Sequence, residues 1–152
     1  MGKVIKLEEA IKVSNELRDQ GKTIVLVGGC FDILHLGHKI FLEKAKKQGD
    51  ALFVALESDE NVQRLKGKDR PINNQEARAA NLANFDNVDY VILLPVLIST
   101  EDYSSFTKKL SPNVIAITEG DPKQAEKESQ GKVVVVTKHL ADFSTTKILQ
   151  NL

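Results

Sequence analysis

The sequence is short of cysteine, of net charge and of long apolar runs, and each shortage excludes something. A single cysteine among 152 residues leaves no disulfide to close within the chain, which excludes a disulfide-stapled scaffold and fits a reducing compartment. Basic and acidic residues, 21 of each, cancel to zero net charge. Bulk charge therefore gives no reason to expect a nucleic-acid partner or an anionic membrane surface. No apolar run approaches the roughly 20 residues that span a bilayer. The opening residues 1–6 hold neither the apolar core of a signal peptide nor a small-residue cleavage site. Lys6 stands where a myristoylation motif wants Ser or Thr. The expected location is the cytoplasm. No internal repeat, low-complexity stretch or Pro/Gly-rich linker breaks the chain, so a single domain over 1–152 is expected.

What is present is the pattern of a layered α/β protein. Hydrophobic residues are 41% and charged residues 28% of the chain, a globular balance. A chain of this length buries about two-thirds of its unfolded surface. Five short, β-branched apolar runs occur at 23–27, 51–56, 90–94, 114–117 and 133–136. They do not alternate with polar residues, which is how strands covered on both faces read. Helical spacing fills the gaps at 40–47, 75–85, 101–110 and 122–130. A helix over 7–19 occupies the N-terminal 1–20, ahead of the main fold over 23–152. A last helix is expected over 144–152 with Ser144 as its N-cap. Strands alternating with helices predict a Rossmann-like doubly wound sheet of five parallel strands. Ligands of such sheets bind beyond the carboxyl ends of the strands, so the loops after Val27, Leu56, Leu94, Ile117 and Val136 matter most.

The first of these loops reads Gly28-Gly29-Cys30-Phe31-Asp32-Ile33-Leu34-His35-Leu36-Gly37-His38. Adjacent glycines allow a sharp turn and a close approach by a ligand, but they lack the Gly-x-Gly-x-x-Gly spacing of a dinucleotide site. Gly21-Lys22-Thr23 is no P-loop, because it precedes the strand and position 16 is Glu. His35 and His38, three apart at a helix start, can point one way. A helix N-terminus favours anions, and two imidazoles there add donors suited to phosphate oxygens. The pair can equally be satisfied surface histidines. A zinc reading finds only Cys30 and His139 as further soft ligands. Cys30 alone reads as a small buried filler.

These residues carry a family resemblance. His35-Leu36-Gly37-His38, preceded by Gly29-Cys30-Phe31-Asp32, resembles the His-x-Gly-His signature of the cytidylyltransferase-like nucleotidyltransferases. Ser144-Thr145-Thr146-Lys147-Ile148 is similar to their second signature, the Ser-Thr-Thr stretch opening the last helix. The run 64–72, followed by Arg78, is most similar to the adenylyltransferase domain that makes ADP-heptose from D-glycero-β-D-manno-heptose 1-phosphate. Glycerol-3-phosphate cytidylyltransferase is next nearest. The likeness runs over 23–152. Gly28 stands where the heptose family usually has Asn, and the segments 118–122 and 138–143 also depart from its pattern.

The resemblance implies an adenine nucleotide α-hydrolase/HUP-like nucleotidyltransferase fold and a nucleotidyltransferase activity. AMP from ATP would pass to a phosphorylated small acceptor, a heptose-like sugar 1-phosphate, releasing pyrophosphate. The alternatives are cytidylyl transfer to glycerol 3-phosphate or a similar polyol phosphate, and a nucleotide-binding module without turnover. Mg²⁺ is expected with the nucleoside triphosphate, and homodimers are common among such relatives. By resemblance, His35, His38 and Lys66 are the catalytic residues. Gly29, Cys30, Phe31, Gly37, His38, Gly120, Asp121, Ser144, Thr145 and Thr146 bind the nucleotide. Asp32, Arg64 and Arg78 bind the acceptor, with no dedicated metal site. Asp32 can instead hold Mg²⁺ or cap the turn into the helix, Arg78 can pair with Glu76 or Asp86 on a helix surface, and Gly120-Asp121 can be a plain turn. Lys66 and Arg64 are expected in a basic loop after the second strand. His139 and Lys147 read as surface residues.

Overall fold

The computed structural model describes residues 1–138. The expected closing helix over 144–152, with Ser144, Thr145, Thr146 and Lys147, and also His139, lies outside the described residues. In chain order the elements are β1 (Lys3–Lys6), α1 (Leu7–Asp19), β2 (Ile24–Gly29), α2 (Leu36–Lys46), β3 (Ala51–Leu56) and α3 (Asp59–Lys66). They continue as α4 (Gln75–Ala83), β4 (Tyr90–Leu93), α5 (Thr100–Leu110), β5 (Val114–Thr118), α6 (Gln124–Glu128) and β6 (Val133–Thr137).

Six strands, not five, form one parallel sheet among the described residues, in the order β1-β4-β3-β2-β5-β6. The extra strand is β1, at an edge. Of Lys3-Val4-Ile5-Lys6 only Ile5 is buried, so the segment has no apolar run to announce it. Lysines at both ends suit a sheet edge that must resist further pairing.

The sheet is covered on both faces, and strand periodicity decides which residue goes where. Val25, Val27, Leu52, Val54, Leu56 and Val91 pack with Phe41, Leu42 and Ala45 of α2 and with Ala79, Leu82 and Ala83 of α4. Ile24, Leu26, Phe53, Ala55 and Ile92 face the other way, against Ala10 of α1 and Phe106 and Leu110 of α5. All six residues of β3 are buried, as a central strand with helices on both sides requires.

The chain winds outward from β2 through β3 to β4, then crosses to the far side of β2 for β5 and β6. The reversal makes a topological switch point between the carboxyl ends of β2 and β5, where an open α/β sheet places its ligand.

Candidate active site

A cavity of about 620 Å³ opens at that switch point. The loop after β2 and the first turn of α2 form its floor, supplying Gly28, Gly29, Cys30, Phe31, Asp32, His35, Gly37 and His38. Gly120 and Asp121, after β5, also line it. Lys66 and Arg70 reach in from the region after β3. Every residue expected from the sequence to bind or react lines this cavity, except Arg64, Arg78 and those beyond residue 138.

The histidines are ordered by the helix they open. His35 is the N-cap of α2, and its Nδ1 accepts the Gly37 N–H at 3.1 Å. In a neutral ring that leaves the proton on Nε2. His38 stacks on His35, with ring centroids 3.8 Å apart and planes inclined by 24°. Burial lowers the His35 imidazole below its ordinary value. Burial, then His35, then Lys66 bring His38 down to about 4. Both rings are therefore neutral at pH 7, each with one N–H. His38 Nδ1 is buried with no hydrogen-bond partner among the described residues. The first turn of α2 carries no acidic residue, unlike those of α1, α3, α4 and α5, so its positive end remains available to an anion.

Phe31 holds the pair from the other side. Its ring is 5.2 Å from that of His38, and its backbone lies in the left-handed region at φ 45, an unfavourable conformation for a bulky residue. The ring also occupies the space where a Cβ at Gly29 would stand, 2.8 Å away. Gly29 is thus required by the Phe31 ring. At Gly28 a Cβ would meet nothing nearer than the Ala55 carbonyl at 3.8 Å, so the cavity is open there.

The basic run is not the loop expected from the sequence. Arg64 and Lys66 belong to the last turn of α3, whose N-cap Ser58 accepts the Asn61 N–H. Arg64 donates to the Leu97 carbonyl at 3.1 Å and is not among the residues that line the cavity. Lys66 is exposed and lines the cavity. Arg70 is buried and donates Nε to Asp32 Oδ2 at 2.8 Å.

Asp32 does not cap α2, since His35 does. Its buried carboxylate also accepts the Ile72 N–H at 2.7 Å and the Asn73 N–H at 2.9 Å. Burial alone would raise its pKa, but these donors outweigh it and hold the carboxyl below its ordinary value. Arg78 is not on a helix surface and pairs with neither Glu76 nor Asp86. It is fully buried. Its guanidinium donates to the carbonyls of Cys30 at 2.8 Å and Asn73 at 3.0 Å, and to Asp59 Oδ1 at 2.7 Å. It ties the histidine loop to the starts of α3 and α4. Asp121 accepts the Lys123 N–H at 2.8 Å and pairs with Lys127 at 2.7 Å, beside Gly120 at φ 83. Burial pushes the Cys30 thiol up, with Lys66 opposing, which keeps it a thiol and a poor nucleophile at neutral pH.

The sequence reading missed Glu57, Tyr103 and Lys123, which also line the cavity. Glu57 had a signal: it is the first residue after the apolar run of β3, where ligand contacts concentrate. Tyr103 and Lys123 come from α5 and the N-cap of α6, and only the packing of those elements against the cavity brings them in.

The parallel α/β sheet thus carries neutral donors and a cationic side chain at its switch point. A family model for cytidylyltransferase-like proteins matches residues 26–151, and the chain belongs to this family. It is 42% identical over 149 residues to the bifunctional protein HldE of a Nitratiruptor species, covering 95% of this chain and 31% of that protein. The bifunctional protein HldE of Wolinella succinogenes is 37% identical over 154 residues, with coverages of 99% and 31%. The chain thus spans about a third of the length of these curated relatives. Among solved structures, the lipopolysaccharide core biosynthesis protein from Thermoplasma volcanium GSS1 superposes with a TM-score of 0.62 at 28% identity, over 78% of this chain and 96% of that one.

Proposed function

We propose that the chain is a nucleotidyltransferase that moves AMP from ATP to a phosphorylated small acceptor, a heptose-like sugar 1-phosphate. The observation that carries this reading is the His35–His38 stack, held neutral at the start of α2 inside the switch-point cavity. The family match and the relatives named HldE support it.

The chemistry needs no base. A phosphate oxygen of the acceptor, already anionic, attacks the α-phosphorus of ATP. The bond from that phosphorus to the bridging oxygen breaks, and pyrophosphate leaves with the bonding pair. The protein has to align the two phosphates and stabilise charge that moves toward the leaving group. His35 Nε2–H and the His38 N–H donate to triphosphate oxygens, and His38 makes the contact that strengthens in the transition state. Because both rings are neutral, they orient and donate without proton transfer. Lys66 neutralises phosphate charge from the end of α3. Gly29, Cys30, Phe31, Gly37, Gly120 and Asp121 shape the nucleotide side of the cavity, and Ser144, Thr145 and Thr146 keep the nucleotide-binding role that the resemblance gives them. Asp32 acts through Arg70 and the 72–73 backbone, and Arg78 through the Cys30 carbonyl, so both position the acceptor side. Arg64 does the same through Leu97.

Among the described residues no cluster of three or more His, Cys, Asp or Glu can hold a metal ion. Mg²⁺ would therefore be carried by the triphosphate oxygens. No helix among the described residues is long and apolar enough to cross a membrane. The same reading carries a cytoplasmic homodimer with no nucleic-acid partner, its dimer state open to light scattering.

Pyrophosphate release in the presence of Mg²⁺ tests the activity, with ATP and CTP offered separately against heptose 1-phosphate and glycerol 3-phosphate. Release with ATP and the sugar phosphate is expected. Release only with CTP and glycerol 3-phosphate would replace this reading with the cytidylyl one. Lys66→Ala should raise the KM for ATP about tenfold, as for loss of one charged contact. Unchanged kinetics would remove Lys66 from the site.

A further inference from the structure

The donors of the cavity floor have an acceptor group beside them: the Glu57 N–H donates to the Gly29 carbonyl at 3.1 Å. Glu57 follows β3 directly and is 7% exposed, yet the residue lines the cavity. Two donors fix it from behind. The Tyr103 hydroxyl reaches its two oxygens at 3.0 and 2.9 Å, and Asn61 Nδ2 reaches Oε1 at 3.3 Å. Asn61 is itself fully buried, and its amide is oriented by the Leu97 carbonyl at 3.0 Å. Burial, and then Glu57, push the Tyr103 phenol up from its ordinary value, so it keeps the proton it donates.

A carboxylate offers about four lone-pair directions. One phenol proton and one amide proton leave two of them for a ligand. The ligand group cannot be a phosphate, which the fixed negative charge repels. Nor is a resident cation indicated, since no three-residue ligand cluster exists among the described residues. A neutral donor remains, and the bond from a hydroxyl to a carboxylate is among the strong ones. The cavity thus holds donors at His35, His38 and Lys66 and an acceptor at Glu57. That combination suits a molecule that carries both phosphate and hydroxyls.

We infer that Glu57, positioned by Tyr103 and Asn61, is a specificity residue that accepts hydrogen bonds from substrate hydroxyls. The inference rests on the reading of the cavity as a nucleotide and sugar-phosphate site. The hydroxyls belong either to the acceptor sugar or to the ribose of ATP, and binding measurements separate the two.

The test is calorimetric titration of the full chain and of Glu57→Gln with heptose 1-phosphate, with ATP and with inorganic phosphate. Glu57→Gln keeps the side-chain shape and removes the charge. Binding of the hydroxyl-bearing ligand should weaken about 10- to 100-fold, as for loss of a hydrogen bond to a charged group, while inorganic phosphate binds as before. A loss confined to heptose 1-phosphate assigns the hydroxyls to the acceptor, and a loss confined to ATP assigns them to ribose. Equal binding of both ligands by the two proteins would overturn the inference. Should the variant fail to fold, deoxy analogues of each ligand titrated into the unmodified chain serve instead. One of them must bind at least tenfold more weakly than its parent, and uniform binding overturns the inference. Failure of catalysis with this binding pattern intact would count against the transfer reaction alone.

Discussion

Replacement of Arg78 by Met separates a structural clamp from a substrate ligand. The native side chain is 0% exposed, whereas its partner Asp59 is 45% exposed. Met fills much of the same space but donates nothing. The carbonyls of Cys30 and Asn73 lose a charged donor while staying inside the protein. Asp59 returns to water at little cost. Each hydrogen bond to a charged group is worth about 1.5–3 kcal/mol, but removing the guanidinium also removes its own desolvation penalty. The net is a loss of about 3 kcal/mol, within the range for breaking a buried polar network. For a domain of this size that lowers Tm by about 6–12 °C. Urea titration and thermal melting measure the loss, and steady-state kinetics below the transition measure function. A clamp predicts the stability loss together with reduced kcat, because the Cys30 loop carries the histidines. A residue that contacts the acceptor predicts stability within about 0.5 kcal/mol of the native chain and a raised KM for the acceptor alone. That second result would refute the clamp.

Two further outcomes follow from the histidine loop. His38 sits at about 4 in the fold against an ordinary 6.5, so the unfolded chain takes up a proton that the native chain refuses between those values. Stability contributed by the neutral ring is intact above pH 6.5 and declines as pH falls toward 4, by about 3 kcal/mol in all. Urea midpoints across that range should show a shallower slope for His38→Asn, and identical slopes would refute the buried neutral ring. Gly29→Ala places a Cβ 2.8 Å from the Phe31 ring and should cost about 1–3 kcal/mol by overpacking, with lowered turnover as the ring moves off His38; native stability would show that the loop relaxes freely.

The sequence showed β2 to β6 because each is a continuous apolar run, a signal that the interior parallel strands β2 to β5 cannot avoid giving. It concealed β1, where a single buried Ile5 between lysines carries no periodicity. It concealed α3 because Val62 and Leu65 are the only apolar residues in eight; the Ser58 cap was the available clue. The His35–His38 pair was legible because the chemistry lies within four consecutive positions. Arg78 was not, because its burial depends on a carbonyl 48 residues away, and a basic residue on a helix otherwise reads as surface. Asp32 was singled out, but its partners at 70–73 are decided by tertiary folding.

In the proposed mechanism His38 donates from a neutral ring to a triphosphate undergoing attack. Pyrophosphate release from ATP and heptose 1-phosphate, compared between the native chain and His38→Ala, tests it most directly. Loss of one preorganised donor should lower kcat by about 100-fold or more, with ATP still bound. Near-native turnover in His38→Ala would contradict the account.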